Sequence, residues 1–512
     1  MTLKKEISSK FILEKITDIY IAVIIILFPL IVDSTGFFKI LECKYESFLF
    51  ISGTYLIANF LVLMYYWLVK QEKIFKEIKI TKVQIAALVF WGVNILSYIL
   101  SPYLKEANLL IGVGRGEGLI NMSLYVLTFL CVTLFGKFKK RHIVYFSISS
   151  ILVNFIAILQ YVGFNPFNMY QEGIGTHNVS FMGTIGNVDF ISALFCILLP
   201  ISCFAYINLE DDTKINKTLH LVSILMGSFI FNIIDVNSGK VGLFGILVIA
   251  FPFIVTSSKK LSKLVTCINM VLIANCINYF MNTEYHYDIG KIVFNFKVNY
   301  IVVLFLVMIA VLFILSKILK KIEYDYSENK KVILAFFGVY ALVGIVAVFA
   351  LYLYDFGFGM LTEIHEILHG NLKDEYGTFR VFLWKRTLSI IPEYPILGSG
   401  PDSFAIRFMS KFSEDVASIG EFSINDTAAN VYLTMAVNIG LVGLASYLTF
   451  LYTQIKRGIK YKNKESVVLL LTIICYLIQD FFNLWVVIIT PIFWLLMAIH
   501  FISLKKEESV NV

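Results

Sequence analysis

Apolar residues in this chain run unbroken for longer than a soluble fold uses. Stretches such as IYIAVIIILFPLIV, YLIANFLVLMYYWLV, VLFLVMIAVLFIL and VILAFFGVYALVGIVAVFALYLY contain no charged residue. Each approaches or exceeds the roughly 20 residues that a helix needs to cross a bilayer core. Fourteen such segments are predicted, at residues 19–33, 47–69, 83–101, 119–136, 143–163, 190–207, 219–234, 241–257, 264–280, 298–316, 332–354, 429–452, 466–482 and 484–502. The pattern therefore predicts an all-α, polytopic membrane helix bundle of about 12–14 transmembrane helices. The first segment is longer than a signal-peptide core and lacks a convincing cleavage site, so it reads as a retained helix.

The polar residues between the segments orient the bundle. With both termini in the cytoplasm, EKIFKEIKITK, KFKKR, SSKKLSK, KILKKIEY and KRGIKYKNK all fall inside, and the inner segments hold 30 of the 43 Lys and Arg residues. That asymmetry follows the positive-inside rule. The formal charge of +7 is thus a sign of membrane topology and points to no nucleic-acid partner. Composition agrees, at 58% hydrophobic and 15% charged with a mean hydropathy of +0.79. A soluble domain carries roughly a quarter charged residues. Six of the seven cysteines lie in predicted spans and only Cys43 lies outside them, so no disulfide framework is expected.

One connection is long. Residues 355–428 separate an N-terminal bundle, 1–354 with about 11 spans, from a C-terminal set of about three spans and a short tail, 429–512. This segment lies opposite the lysine clusters and alternates amphipathic stretches (FGMLTEIHEILH, FRVFLWKRTLSIIPEY) with glycine-rich breaks. Short helices along the outer, extracytoplasmic surface are expected there. Within it, HEILH matches the pattern that places two histidines one helical turn apart around zinc, yet no third protein ligand suggests itself. Other polar patches share this face: IGVGRGEGLIN with Arg115 and Glu117, the stretch ending in Asn187 and Asp189, and DVNSGKVG with Lys240. Each reads equally as loop and helix-end chemistry or as part of a site.

Taken together and in order, several stretches resemble the O-antigen ligase and polymerase superfamily. They are GRGEG with Arg115, FMGTIGNVDFISALFCILLP from Phe181, NSGKVGLFG at 237, GTFRVFLWKRTLSIIPEYPILGSGPDSFAIRF from Gly377, and DTAANVYLTMAVNIGLVGLASYL from Asp426. The similarity spans about residues 110–455. ILHGNLKDEYGTFR resembles a family segment as well, with His369 in the matching position, so HEILH reads as a chance completion of that segment.

The resemblance implies a bacterial cytoplasmic-membrane enzyme that moves a glycan from an undecaprenyl-diphosphate carrier to an acceptor hydroxyl on the outer face. It implies a polysaccharide polymerase or ligase, whose acceptor is a saccharide or an envelope molecule, with a flippase or chain-length regulator as further partners. No cofactor and no metal are implied, since the carrier diphosphate stores the energy. A leaving diphosphate concentrates negative charge, which arginine's planar fork suits best. By resemblance Arg380 is the expected clamp, with Arg115 and Lys240 beside it. Lys240 stands one residue after the position where the family usually has arginine, and it lacks the bidentate geometry. Trp384 is expected either under a sugar or as an interface anchor. Lys385, Gly398, Gly400, Asn430, Tyr432 and His369 complete the expected binding set. Asn187 is expected either to cap its helix or to donate to a glycan or phosphate oxygen.

The sequence departs from the family at one place of chemical weight. The family's His-Asn-x-Tyr-Leu block reads Ala429-Asn430-Val431-Tyr432-Leu433. Alanine cannot accept a proton, so Asp426, Glu421, His369 or His365 takes the role, or the reaction proceeds by positioning. Asp426 lies three residues earlier and reads as a replacement base if the helix has already begun there, or as the N-cap of the span. Two other functions stay open: a transporter or flippase of lipid-linked oligosaccharide, and a non-catalytic subunit of an assembly complex.

Overall fold

The computed structural model describes residues 8–71, 79–169, 183–254, 256–281, 283–286, 291–294, 296–322, 324–326, 329–357, 359–419 and 426–510. Among them the chain is helical almost throughout. The helices are α1 (Ser9–Ala22), α2 (Ile40–Leu68), α3 (Lys82–Ile99), α4 (Leu119–Phe135), α5 (Arg141–Tyr161), α6 (Val188–Asn208), α7 (Lys214–Ile234), α8 (Asn237–Ile254), α9 (Ser258–Met281), α10 (Tyr300–Ile322) and α11 (Lys330–Leu353). There follow three shorter helices, α12 (Gly359–Leu368), α13 (Arg380–Ile390) and α14 (Phe404–Ser418). The chain then re-enters the bundle as α15 (Val431–Asn438), α16 (Gly440–Lys460), α17 (Lys464–Asp480) and α18 (Thr490–Ser503). One antiparallel pair, Thr283–His286 with Lys291–Phe294, interrupts the helical order.

Eight described helices are long and apolar enough to cross a membrane, and three shorter apolar ones accompany them. The environment of these helices differs sharply. In α6, 89% of the apolar window is buried, whereas α10 and α11 bury 6% and 0% of theirs. A helix apolar on every side needs either protein or lipid around it. Here α6 is the centre of the bundle, and α10 and α11 form its lipid-facing margin. At one end of the bundle Lys139, Arg141 and His142 gather on Asp18, while Arg457 pairs with Glu508 at 2.7 Å. The segment 355–428 lies at the other end. Residues 1–7 and 511–512, which bear on the expected cytoplasmic placement of the termini, lie outside the described residues.

Three predicted spans are not continuous helices, one of them, 484–502, because α18 starts only at Thr490. The first winds down from α1 through a wider turn, Val23–Leu27, into a tight one, Phe28–Leu30, at Pro29. Proline supplies no N–H, so the helix ends and leaves carbonyls without partners. The fully buried Lys44 of α2 donates to the Phe28 and Pro29 carbonyls, both at 2.8 Å, and Thr184 donates to the second at 2.5 Å. The predicted span 429–452 breaks between α15 and α16, where Gly440 has φ +72°. There the outer loop supplies the missing partners. Ser399 and Gly400 donate their N–H groups to the Val437 and Asn438 carbonyls at 3.1 and 2.7 Å, and Leu441 donates to the Pro395 carbonyl at 2.8 Å.

These two repairs give separate expectations. Lys44→Met removes one donor from each of two buried carbonyls, which keep the Ile31 N–H and the Thr184 hydroxyl, so the expected cost is about 0.5–1.5 kcal/mol for each bond lost. A lowered unfolding midpoint of the detergent-solubilised protein checks it. Gly398 has φ +69°, and a Cβ there would press into the Asn438 backbone. Gly398→Ala is therefore expected to destabilise the protein by about 1–3 kcal/mol through strain. The same thermal measurement, together with proteolysis of the 355–428 segment, reads that effect.

Candidate functional site

A glycine-rich turn before α4, residues 112–118, carries Arg115 and Glu117. Its shape is held by a residue far along the chain: Asp402 Oδ2 accepts the N–H groups of Gly114, Arg115 and Glu117 at 3.1, 3.1 and 3.3 Å. Asp402 sits just after Gly400 and Pro401, in a left-handed conformation (φ +55°). The docking of 395–400 against the α15–α16 break therefore also fixes where Arg115 stands. Burial raises the Asp402 carboxyl to about 6, against the lowering effect of the three amides and with added repulsion from Asp426.

Asp402, Arg115 and Glu117 line one cleft with Asn94, Thr427 and Trp485, enclosing about 500 Å3 of empty space, part of it open to solvent. Glu117 is buried. Its Oε1 accepts from the Tyr125 hydroxyl at 3.0 Å, while Oε2 has no hydrogen-bond partner among the described residues. Burial raises this carboxyl well above the usual range. Arg115 faces the cleft as well. Its Nε lies 2.6 Å from Asp426 Oδ2, a close ion pair not aligned as a hydrogen bond, and its guanidinium sits 5.4 Å over the Phe190 ring.

Arg380 opens α13 beside the start of α6. Its Nε donates to the Phe482 carbonyl at 3.0 Å, and one terminal nitrogen donates to the Gly377 carbonyl at 2.8 Å and the Thr378 hydroxyl at 2.6 Å. The other terminal nitrogen lies 3.8 Å from Asp189. Arg115 and Arg380 thus reach consecutive residues, Phe190 and Asp189, at one helix start. Trp384 ties this group to the 426–430 turn by donating to the Ala428 carbonyl at 3.0 Å, and it packs on Phe481 and Phe482.

Several expected residues serve the scaffold in this structure. Asn187 caps α6, accepting from the Asp189 N–H at 2.8 Å. Asn430 caps α15, accepting from the Leu433 N–H at 3.0 Å. The helix therefore begins at Val431, and Asp426 neither caps it nor sits one helical turn before Ala429, whose φ is +48°. The turn frees Asp426 to meet Arg115. Tyr432 donates to the Leu477 carbonyl at 3.0 Å. Gly398 and Gly400 allow the close backbone approach described above. Lys385 and Arg386 both bind Asp374, and their hydrogen bonds hold its carboxyl below the usual range. Lys240 pairs with Asp235 near the start of α8 and is not among the residues lining the cleft.

The HEILH histidines fasten α12 to α11. The Nδ1–H of His365 donates to the Leu351 carbonyl and that of His369 to the His365 carbonyl, both at 2.8 Å, and His369 stacks on Tyr352. Among the described residues no group of three His, Cys, Asp or Glu is placed to hold a metal ion. Glu421 lies outside the described residues.

Of the two cleft carboxyls, the sequence marks Glu117 only as a member of a polar patch, without a role, and does not single out Asp402. Both sit in the stretches that carry the resemblance, Glu117 as the acid in GRGEG and Asp402 directly after Gly-Ser-Gly-Pro. Nothing in one sequence indicates that they meet across 285 positions.

Comparison with curated proteins finds no match for this chain. The family model described as O-antigen ligase matches residues 297–448, which include Arg380, Trp384, Gly398, Gly400, Asp402, Asp426 and Tyr432 but neither Arg115 nor Lys240. This similarity covers less than half of the chain and supports membership in the O-antigen ligase and polymerase superfamily.

Proposed function

We propose that this multi-pass membrane protein transfers a glycan from an undecaprenyl-diphosphate carrier to an acceptor hydroxyl, at the face of a bacterial cytoplasmic membrane opposite the lysine clusters. Both termini then lie in the cytoplasm. The observation that carries the reading is the meeting of Arg115 from the N-terminal bundle with Asp402 and Asp426 from the segment similar to O-antigen ligases. They meet around a cleft beside the membrane-spanning helices.

In the reaction the bond between the anomeric carbon and the diphosphate oxygen breaks, and charge gathers on that oxygen. Arg115 and Arg380 are held in advance by Asp426, Phe190 and backbone carbonyls, so little reorganisation is needed when the charge appears. The nitrogen of Arg380 that faces Asp189 makes the loosest contact of the fork, at 3.8 Å, and is the part that turns to phosphate. Trp384 offers an aromatic face near the 426–430 turn, suited to packing against a sugar or the lipid chain, while Phe190 is buried beneath Arg115. Polymerase and ligase share this donor chemistry and differ in acceptor. The outer segment 355–428 selects between them.

Cells lacking the gene and complemented by variants test the reading. Loss of long chains with accumulation of a single lipid-linked repeat identifies a polymerase. Unchanged chain length with loss of attachment to the final acceptor identifies a ligase. Arg115→Ala and Arg380→Ala are each expected to lower transfer by about 100-fold, the usual effect of removing one donor to a developing oxyanion. Full rescue by both variants, scored on glycan gels at matched protein levels, would favour the non-catalytic subunit to which Ala429 points.

A further inference from the structure

Transfer to a hydroxyl needs a group that takes its proton, and Ala429, at the position where the resemblance implies a histidine, cannot take one. The other candidate bases among the described residues are already engaged. Asp426 is paired with Arg115, and the two histidines of α12 fasten it to its neighbours. Glu117 lines the cleft, but its Oε1 is taken by the Tyr125 hydroxyl and burial disfavours its charged, proton-accepting form.

Asp402 differs in how its two oxygens are used. Oδ2 is saturated by three N–H groups, which fix the plane and position of the carboxylate. Oδ1 receives no hydrogen bond from the described residues, and the side chain, although only 5% of the residue is exposed, lines the cleft. A carboxylate anchored through one oxygen and open through the other is built to orient a hydroxyl.

We propose that Asp402 is the catalytic base of this chain, its Oδ1 receiving the acceptor hydroxyl's proton. As the proton leaves, the hydroxyl oxygen bonds to the anomeric carbon, the bond from that carbon to the diphosphate breaks, and the departing lipid diphosphate keeps the electron pair. The assignment rests on the glycosyl-transfer reading above. It does not reuse the volume of the missing histidine: the base comes from the Gly-Ser-Gly-Pro-Asp turn on the other wall of the cleft. The charged and titratable groups facing it are Arg115 and Glu117, from the turn that it braces, and Asp426. With its carboxyl raised to about 6, Asp402 is ionised at neutral pH while retaining more basicity than an ordinary aspartate.

The test uses the full chain in membranes of cells lacking the chromosomal copy, with the lipid-linked glycan that those membranes accumulate as donor. Binding of undecaprenyl diphosphate to the solubilised protein is measured in parallel. Asp402→Asn keeps an oxygen for the three amides and removes the base. It is expected to slow transfer by about 100-fold or more while leaving undecaprenyl diphosphate binding within about twofold. The wild-type rate should fall as pH drops through about 6, because the base is then protonated, and the variant should lose that limb. Asp402→Glu should recover part of the rate. A rate for Asp402→Asn within about threefold of wild type overturns the assignment and leaves the glycosyl-transfer reading standing. Binding lost together with rate makes Asp402 only a brace for Arg115 and also overturns it. A wild-type chain that neither transfers glycan nor binds undecaprenyl diphosphate removes both.

Discussion

Where a membrane helix breaks, the backbone groups it releases must find partners inside the protein, because lipid offers none. That constraint builds this molecule twice. At Pro29 a buried lysine from the next helix supplies the donors. At the α15–α16 break the donors are backbone N–H groups of residues 399 and 400, so an extramembrane loop is pulled down onto the bundle. Ser97 of α3 adds a hydroxyl to the Asn438 carbonyl at 3.1 Å, and the fully buried Arg407 reaches the Val437 and Ile390 carbonyls. The site is a consequence of that repair. Two residues past Gly400 the chain turns at Asp402, which collects three amides of the 112–118 turn and thereby sets Arg115.

Much of the architecture follows from apolar run length alone. Each predicted segment is largely helical in the structure, two of them with a break and the last only from Thr490 onward, and the 355–428 segment holds the short helices that its amphipathic stretches predict. Run length cannot say what surrounds a helix, however. Mean hydropathy is 2.3 in the buried α6 and 2.6 in the exposed α11, so the two read alike while one faces protein and the other lipid. Breaks are legible only where a residue type forces them: Pro29 announces one, whereas Gly440 lies in a run that reads as a single span.

The candidate site was legible in part, for a physical reason. Residue type revealed the cations, since arginine and lysine are costly at the edge of a membrane and stand out against apolar runs. Pairing is a property of three dimensions, and it decided what each cation does: Lys240 meets Asp235, Lys385 meets Asp374, and Arg115 meets Asp426. Asp426 also shows how one helix boundary changes a reading. Once Asn430 takes the cap, Asp426 falls in the preceding turn and faces a residue more than three hundred positions away. Lys44 was hidden differently, as an ordinary polar residue near a helix start whose full burial only packing discloses.

The outer segment is more than a cover on this arrangement. Phe382, Ile390, Phe404, Phe408 and Val416 form a small core of their own, and Ala428 and Val437, on either side of the re-entry into the bundle, belong to the same core. Arg386 clamps it from outside, stacked 3.5 Å over Phe382 and bonded to Asp374 and Asp415. A close-packed core transmits displacement because its side chains have little free volume to absorb it. Ala428 also receives the Trp384 N–H on its carbonyl and lies two residues from Asp426. Any ligand that shifts α13 or α14 must therefore move the 426–430 turn with them, and with it the carboxylate that holds Arg115. Displacement of the 355–428 helices and the pairing of Arg115 in the cleft are thus mechanically coupled.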